Sequence, residues 1–357
     1  MNKIIERFKK IETNTQIILA IFVILFGLSF VLDNYWLDVI NNVGLYAILA
    51  LSLNIILGSA GLFHMGHAAF YAIGAYLAAI LNVVYGVPLL WSIPLCGLLA
   101  GLVALIVARP IIHLRGDYLL IVTIGVVEII RIALVNDVLK DFVLVINGIM
   151  PDLFSRDFIK MVYSQGITGG SNGVFGISRP NFFGYIIKSP QDFFYLIFGF
   201  TAITIFLFKR LENSRFGRAL IYLKEDDVAA EGSGINTTHY KLVAFVLGAV
   251  WAGMAGNLFA AKMTIINPDS FNFEESVVMF TIVILGGSGS ILGVVVGAFL
   301  IIGLPEVFRE LESARMLIFG LAMIVMMIFR SEGLIPPLPQ KYKIPGFRNN
   351  NRNGGEI

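Results

Sequence analysis

The strongest constraint on this chain is a series of apolar runs that carry almost no charge. A membrane-crossing helix needs about 20 mostly apolar residues. The sequence offers ten runs at or near that length, at residues 17–32, 39–57, 67–85, 89–108, 118–135, 193–208, 242–261, 276–285, 291–304 and 316–329. Runs 276–285 and 291–304 are short and are joined by GGSGS, which fits two cramped spans or one broken hairpin. With 57% hydrophobic residues, 14% charged residues and a mean hydropathy of +0.83, a soluble globular domain is excluded. The expected fold class is all-α: a polytopic membrane protein of about ten transmembrane helices with glycine-interrupted segments. The start, MNKIIERFKKIETNTQ, is basic, but the apolar run after it is long and lacks a small-residue cleavage pattern, so it reads as a retained first span.

Orientation follows from where the basic residues fall. With the N-terminus inside, the cytoplasmic side collects Lys3, Arg7, Lys9, Lys10, Arg109, Arg115, six residues of the loop 209–241, Arg330, Lys341, Lys343, Arg348 and Arg352, which is 17 of the 26. Both termini are therefore expected in the cytoplasm. The organisation that results is a cytoplasmic N-terminal tail (1–16), a transmembrane domain (17–330) and a flexible cytoplasmic C-terminal tail (331–357) rich in Pro, Gly and Asn. Residues 136–190 form an extracytoplasmic segment too long for a simple hairpin. The single cysteine, Cys96, lies in an apolar run, so it allows no internal disulfide and is expected to serve packing.

The loop 209–241 is the one polar stretch between long apolar runs. It contains Lys209, Arg210, Arg215, Arg218, Lys224 and Lys241. Asp226 and Asp227 precede Val228, Ala229, Ala230 and Glu231, and Gly232 and Gly234 follow: acids at the positive end of a short helix and glycines past its stop. So short a helix needs a surface to dock on. Ala229 and Ala230 are the expected docking face, and Thr237, Thr238 and Asn236 are candidates to cap the next span.

Few residues inside the runs can carry chemistry. Glu128 and Arg131 are three apart, share a helix face and can neutralise each other, either as a polar lining of a translocation path or as a structural pair near an interface. His64 and His67 are also three apart, but two imidazoles without a nearby Cys, Asp or Glu do not make a metal site. One glycine break (Gly58, Gly61, Gly66) adjoins them; a second (Gly286, Gly287, Gly289) is continued by Gly293 and Gly297. Either break can free backbone polar groups to line a cavity. GGSGS is not followed by the Lys of a phosphate loop, so no nucleotide site is expected here. No cluster for a membrane enzyme is present in the runs, and an ion-coupled transporter or channel would call for a buried carboxylate without a basic partner.

Five motifs together resemble the branched-chain amino acid ABC transporter permeases, of the LivM-type subunit. They are GLFHMGHAAFYAIGAY (61–76), GDYLLIVTIGVVEIIR (116–131), ITGGSNGVFGI (167–177), FGRALIYLKEDDVAAEGSGINTTHYKLVAFVLGAVWAGMAGNLFA (216–260) and GGSGSILGVVVGA (286–298), and the likeness runs over about 42–306. The resemblance implies that the central loop, with Gly217, Arg218, Asp226, Asp227, Ala229, Ala230 and Gly234, is the segment that docks on an ATPase. It implies a path involving His64, His67, Thr123, Glu128, Arg131, Gly286, Gly287 and Gly289. It also implies an inner-membrane subunit with no catalytic residues and no cofactor of its own, ATP and magnesium being bound by separate cytoplasmic ATPase subunits. The implied partners are a paralogous permease subunit, an extracytoplasmic solute-binding protein and membrane lipid, with no nucleic acid. The solute would be a branched-chain amino acid, or urea or an amide. Three departures stand out: residues 137–165 read as an insertion before the TGG loop, Val228 stands where the general permease pattern has Glu, and Val294 stands where Pro is expected after Gly293.

Overall fold

The computed structural model describes residues 13–114, 116–149, 159, 162–163, 166–182, 184–307, 320–321, 324, 328–329 and 333–337. The fold is a helical bundle. The helices are α1 (Thr13–Leu28), α2 (Asn34–Asn54), α3 (His67–Tyr85), α4 (Leu89–Ile111), α5 (Asp117–Val135), α6 (Val138–Ile149), α7 (Pro190–Glu212), α8 (Arg215–Glu225), α9 (Asp227–Gly232), α10 (Thr237–Met263), α11 (Phe273–Gly286), α12 (Ile291–Ala298) and α13 (Leu304–Val307). A π turn, Ile55–Ser59, extends α2, and another, Phe299–Gly303, joins α12 to α13. A small two-stranded sheet pairs β1 (Asn181–Phe182) with β2 (Tyr185–Ile186).

Among the described residues, six helices are long and apolar enough to cross a membrane: Asn34–Ser59, His67–Tyr85, Leu89–Ile111, Asp117–Val135, Pro190–Glu212 and Thr237–Met263. The remaining runs make shorter helices or lie largely outside the described residues. α11 has 14 residues, about 21 Å at 1.5 Å per residue, against a hydrocarbon core of about 30 Å. α12 returns beside it, with Gly286 against the backbone of Gly293 and Gly297 against the Ile282 carbonyl. These two runs thus form a close-packed hairpin. The run 316–329 and both tails lie largely outside the described residues.

Small residues hold the centre together. Between apolar helices in lipid the hydrophobic effect offers little, so association depends on close van der Waals approach. Gly74 of α3 meets the Gly253 backbone of α10 so closely that a Cβ would overlap it, and Gly256 does the same to the Tyr71 carbonyl. On the other side of α10, Gly97 and Gly101 of α4 receive Val250, and Gly253 lies on Ala100 and the Cys96 carbonyl. Asn257 closes this seam by donating to the Leu89 carbonyl (3.1 Å) and to Ser92 Oγ (2.7 Å). Cys96 is free, buried and packed in the same seam.

The two ends of the bundle are distinct. At one end, Asn41 donates to the Pro190 carbonyl (2.8 Å), Lys262 pairs with Asp38 (2.9 Å), and Tyr35 donates to Glu306 (2.6 Å). Here Val174 and Ile266 form an antiparallel bridge, and Asn82 accepts from Ser178 N and Oγ. Gathered at the opposite end are Gly58, Lys224 and Gly289.

Candidate functional site

The opposite end is built on the polar loop. α7 ends at Asn213, and Ser214 accepts from Gly217 N to start α8 after a turn so tight that a Cβ on Gly217 would strike the Leu211 and Glu212 carbonyls. Arg218 caps the outgoing helix by donating to the Asn213 carbonyl (3.0 Å). Leu220 and Leu223 of α8 are buried, whereas Tyr222 faces out. Asp226 then caps α9, its carboxylate accepting from Val228 N (2.8 Å) and Ala229 N (3.1 Å), and Asp227 pairs with Lys241 in the first turns of α10. Gly234 turns the chain at φ +83°, and Asn236 caps α10 by accepting from His239 N. The cap is thus Asn236, with Thr237 and Thr238 already inside the helix.

The two alanines expected to share one face differ in exposure. Ala230 is only 4% exposed, covered by this chain, while Val228 is 70% exposed and Ala229 is exposed. A six-residue helix with an N-cap at Asp226 must turn one side to the bundle. The last residue of the Ala pair takes that side. Val228 and Ala229 are the outward apolar side chains of α9, and Tyr222 of α8 is exposed as well.

The first glycine break meets this loop directly, and the second packs on the first. The π turn at the end of α2 passes hydrogen bonds from Ala60 N to Ile55 O (3.1 Å) and from Leu62 N to Ile56 O (3.0 Å). That shift takes the Gly58 carbonyl out of the helical ladder, and it accepts instead from the Lys224 ammonium at 3.0 Å. Gly61, at φ +69°, lies against the Lys224 stem, in a conformation that side chains rarely adopt. On the far side of Gly58 stands Gly289 at φ +93°, whose N–H donates to the Asn54 side chain (2.8 Å). Gly286 and Leu285 accept from Ile335 N and Leu334 N (3.1 and 2.9 Å). Residues 333–337, assigned by composition to the flexible tail, are therefore part of the second break: backbone bonding decides there, not composition. A cavity of about 230 Å³ opens beside Lys224, Asp227 and Lys241, lined also by Gly61, Phe63 and Gly116.

The other expected path residues separate into two groups. His64 and His67 are 1% and 0% exposed, so neither lines a lumen in this chain. His64 is packed on Phe245 and Phe70, and His67 Nε2 lies 2.7 Å from Ser52 Oγ, which itself donates to the Leu49 carbonyl. Both ring nitrogens of His64 and Nδ1 of His67 are buried without a hydrogen-bond partner. Thr123 is buried too: it donates to the Leu120 carbonyl and accepts from Met65 N, clipping α5 to the stretch after the first break. Among the described residues no group of three His, Cys, Asp or Glu could hold a metal ion.

Glu128 and Arg131 do pair, at 3.0 Å, with both side chains about one-third exposed. Arg131 also reaches Asp269 at 3.4 Å, on the 3-10 turn at the far end of the bundle. They form a three-group ionic cluster at that rim.

Sequence reasoning missed Asp137. Its buried carboxylate accepts from Ile167 N (2.9 Å), Thr168 N (3.0 Å) and Thr168 Oγ1 (2.9 Å), holding the TGG loop on the end of α5. A cavity of about 540 Å³ lies under that loop, lined by Val83, Gly169, Gly173 and Phe175 among others. Tyr46 and Glu275 were missed as well, joined at 2.6 Å between α2 and α11. An Asp directly after a span was a readable signal for the first; pairs from distant helices leave none.

A family model described as "Branched-chain amino acid transport system / permease component" matches residues 35–329. The chain is 36% identical over 335 residues to the high-affinity branched-chain amino acid transport system permease protein LivM of Salmonella typhimurium, covering 92% of this chain and 76% of the relative. It is 29% identical over 306 residues to the permease protein BraD of Pseudomonas aeruginosa (81% and 91% covered), and 26% identical over 305 residues to the permease protein LivH of Salmonella typhimurium (79% and 89% covered). No solved structure matches the chain. With most of its length matched by that model and a relative 36% identical across 92% of it, the chain belongs to the permease component family of branched-chain amino acid transport systems.

Proposed function

We propose that this chain is a permease subunit of an ATP-binding cassette importer that moves branched-chain amino acids across the inner membrane. The observation that carries the reading is the convergence at Lys224, where one loop residue holds the first glycine break beside the second. A force applied to α8 and α9 from outside the chain would reach both interrupted helices at once. Val228 and Tyr222 offer the apolar contact for an ATPase subunit, which would bind and hydrolyse ATP with magnesium. The loop end is cytoplasmic, since the basic residues concentrate there. The far end then faces outward and receives a solute-binding protein over the TGG loop. The chain's similarity to proteins named LivM and LivH, both permeases, supports pairing with a paralogous permease subunit. Glu128, neutralised by Arg131, gives no support to an ion-coupled mechanism.

The test is co-expression with the ATPase, permease and binding-protein genes found beside its own, followed by reconstitution. ATP-dependent uptake of labelled leucine, isoleucine or valine is expected. Uptake of urea or an amide in preference to leucine would replace the substrate, and uptake driven by an ion gradient without ATP would overturn the reading. Labelling of Ser171→Cys in a Cys96→Ser background from outside intact cells checks the sidedness.

A further inference from the structure

The helix α6 has no part in the reading above, and its apolar side faces away from the protein. None of its residues is buried. Val138, Phe142, Val145 and Ile149 recur at helical spacing along one stripe, and they are 47, 61, 62 and 71% exposed. Lys140 and Asn147 stand on the opposite side and are half-buried. In water such a stripe would forgo the burial that drives folding.

Where the helix starts determines what meets it. α5 is an apolar span whose outward face, with Tyr118, Ile121, Ile129 and Ile132, is exposed along its length. α6 begins directly after the Asn136–Asp137 turn that ends this span, and Asp137 N bonds back to the Leu134 carbonyl (3.2 Å). The same Asp137 is pinned to Ile167 and Thr168. The first residue of α6 therefore sits at the end of the span α5, and the stripe of α6, like the outward face of α5, is exposed. Twelve residues make about 18 Å of helix, too short to cross the bilayer.

We propose that α6 is an in-plane amphipathic helix, seated at the boundary between headgroups and acyl chains with its stripe in the acyl region. The partner is a lipid surface. Such a helix contributes binding through buried apolar area. It gives α6 a purpose: the helix fixes the outer end of α5, and with it the Asp137 anchor, to the membrane plane. This inference does not depend on which solute is carried or on ATP.

The experiment uses the full-length protein, with the subunits that co-purify, in nanodiscs of phosphatidylethanolamine and phosphatidylglycerol. Single cysteines replace Phe142, Val145, Ile149, Lys140 and Asn147 in turn in a Cys96→Ala background, each carrying a nitroxide. At 142, 145 and 149, collision with oxygen should exceed collision with a water-soluble nickel chelate, and the ratio should fall at 140 and 147. The three stripe labels should also report nearly equal depth, rather than a depth growing by about 1.5 Å per residue as an inserting helix would. Nickel dominance along the stripe would show it in water and overturn the proposal. Low collision with both reagents would show a protein partner covering it and would equally overturn it. A diazirine lipid should mark peptide 138–149 in the unsubstituted protein; absence of that mark counts against the proposal whatever the labelled variants do.

Discussion

Replacing Lys224 by Met isolates the link between the loop and the first glycine break. The methionine stem still covers Gly61, so the packing at that turn survives. What is lost is the bond from the ammonium to the Gly58 carbonyl, 3.0 Å long and made by a charged donor. A hydrogen bond to a charged group contributes about 1.5–3 kcal/mol, and the lower end applies because Lys224 is partly solvated through the adjoining cavity. A loss of about 1.4 kcal/mol is a tenfold change in an equilibrium. The break should then leave its native arrangement about ten times more often, while α9, capped by Asp226 and paired through Lys241, keeps its shape. In reconstituted vesicles the variant should bind the ATPase and hydrolyse ATP normally, and leucine moved per ATP should fall, by at most about tenfold. Lys224→Arg should recover much of the ratio, since the guanidinium keeps a charged donor. An unchanged ratio at normal abundance would refute the link. Loss of ATPase binding would place Lys224 in docking instead.

Three other outcomes follow from the same geometry. Val228→Asp should abolish co-purification of the ATPase without lowering membrane abundance, whereas Ala230→Trp should lower abundance itself, because Ala230 is buried in its own chain; equal behaviour of the two would remove the docking face. Glu128→Gln and Arg131→Gln should each reduce uptake more than the double substitution does, with Glu128→Gln the milder because Asp269 still partners Arg131; additive effects would mean no coupling. Asp137→Ala leaves two buried N–H groups of the TGG loop unpaired, at about 1–3 kcal/mol each. It should speed hydrogen exchange at residues 166–177, and exchange identical to the parent would show that the loop is held by other contacts.

The membrane class, the long spans, the polar loop and its short capped helix were legible from sequence because each rests on local pattern: apolar run length, Asp at a helix start, glycine after its stop. Glu128 and Arg131 were legible for the same reason, since three residues apart on a helix means adjacent in space. Tertiary structure alone decided the rest. Lys224 and Gly58, or Asn54 and Gly289, come from distant positions, and only the packing of α2 against α8 and the α11–α12 hairpin brings them together. The histidines show the converse: polar residues in an apolar run suggest a path, but whether a side chain meets a lumen or the interior depends on which neighbours surround it. Phe70, Phe245 and Ser52 surround these two. Periodicity records which residues share a face of one helix; what that face meets is set by backbone approach between helices, which here depends on glycines such as Gly74 and Gly253 lying against one another.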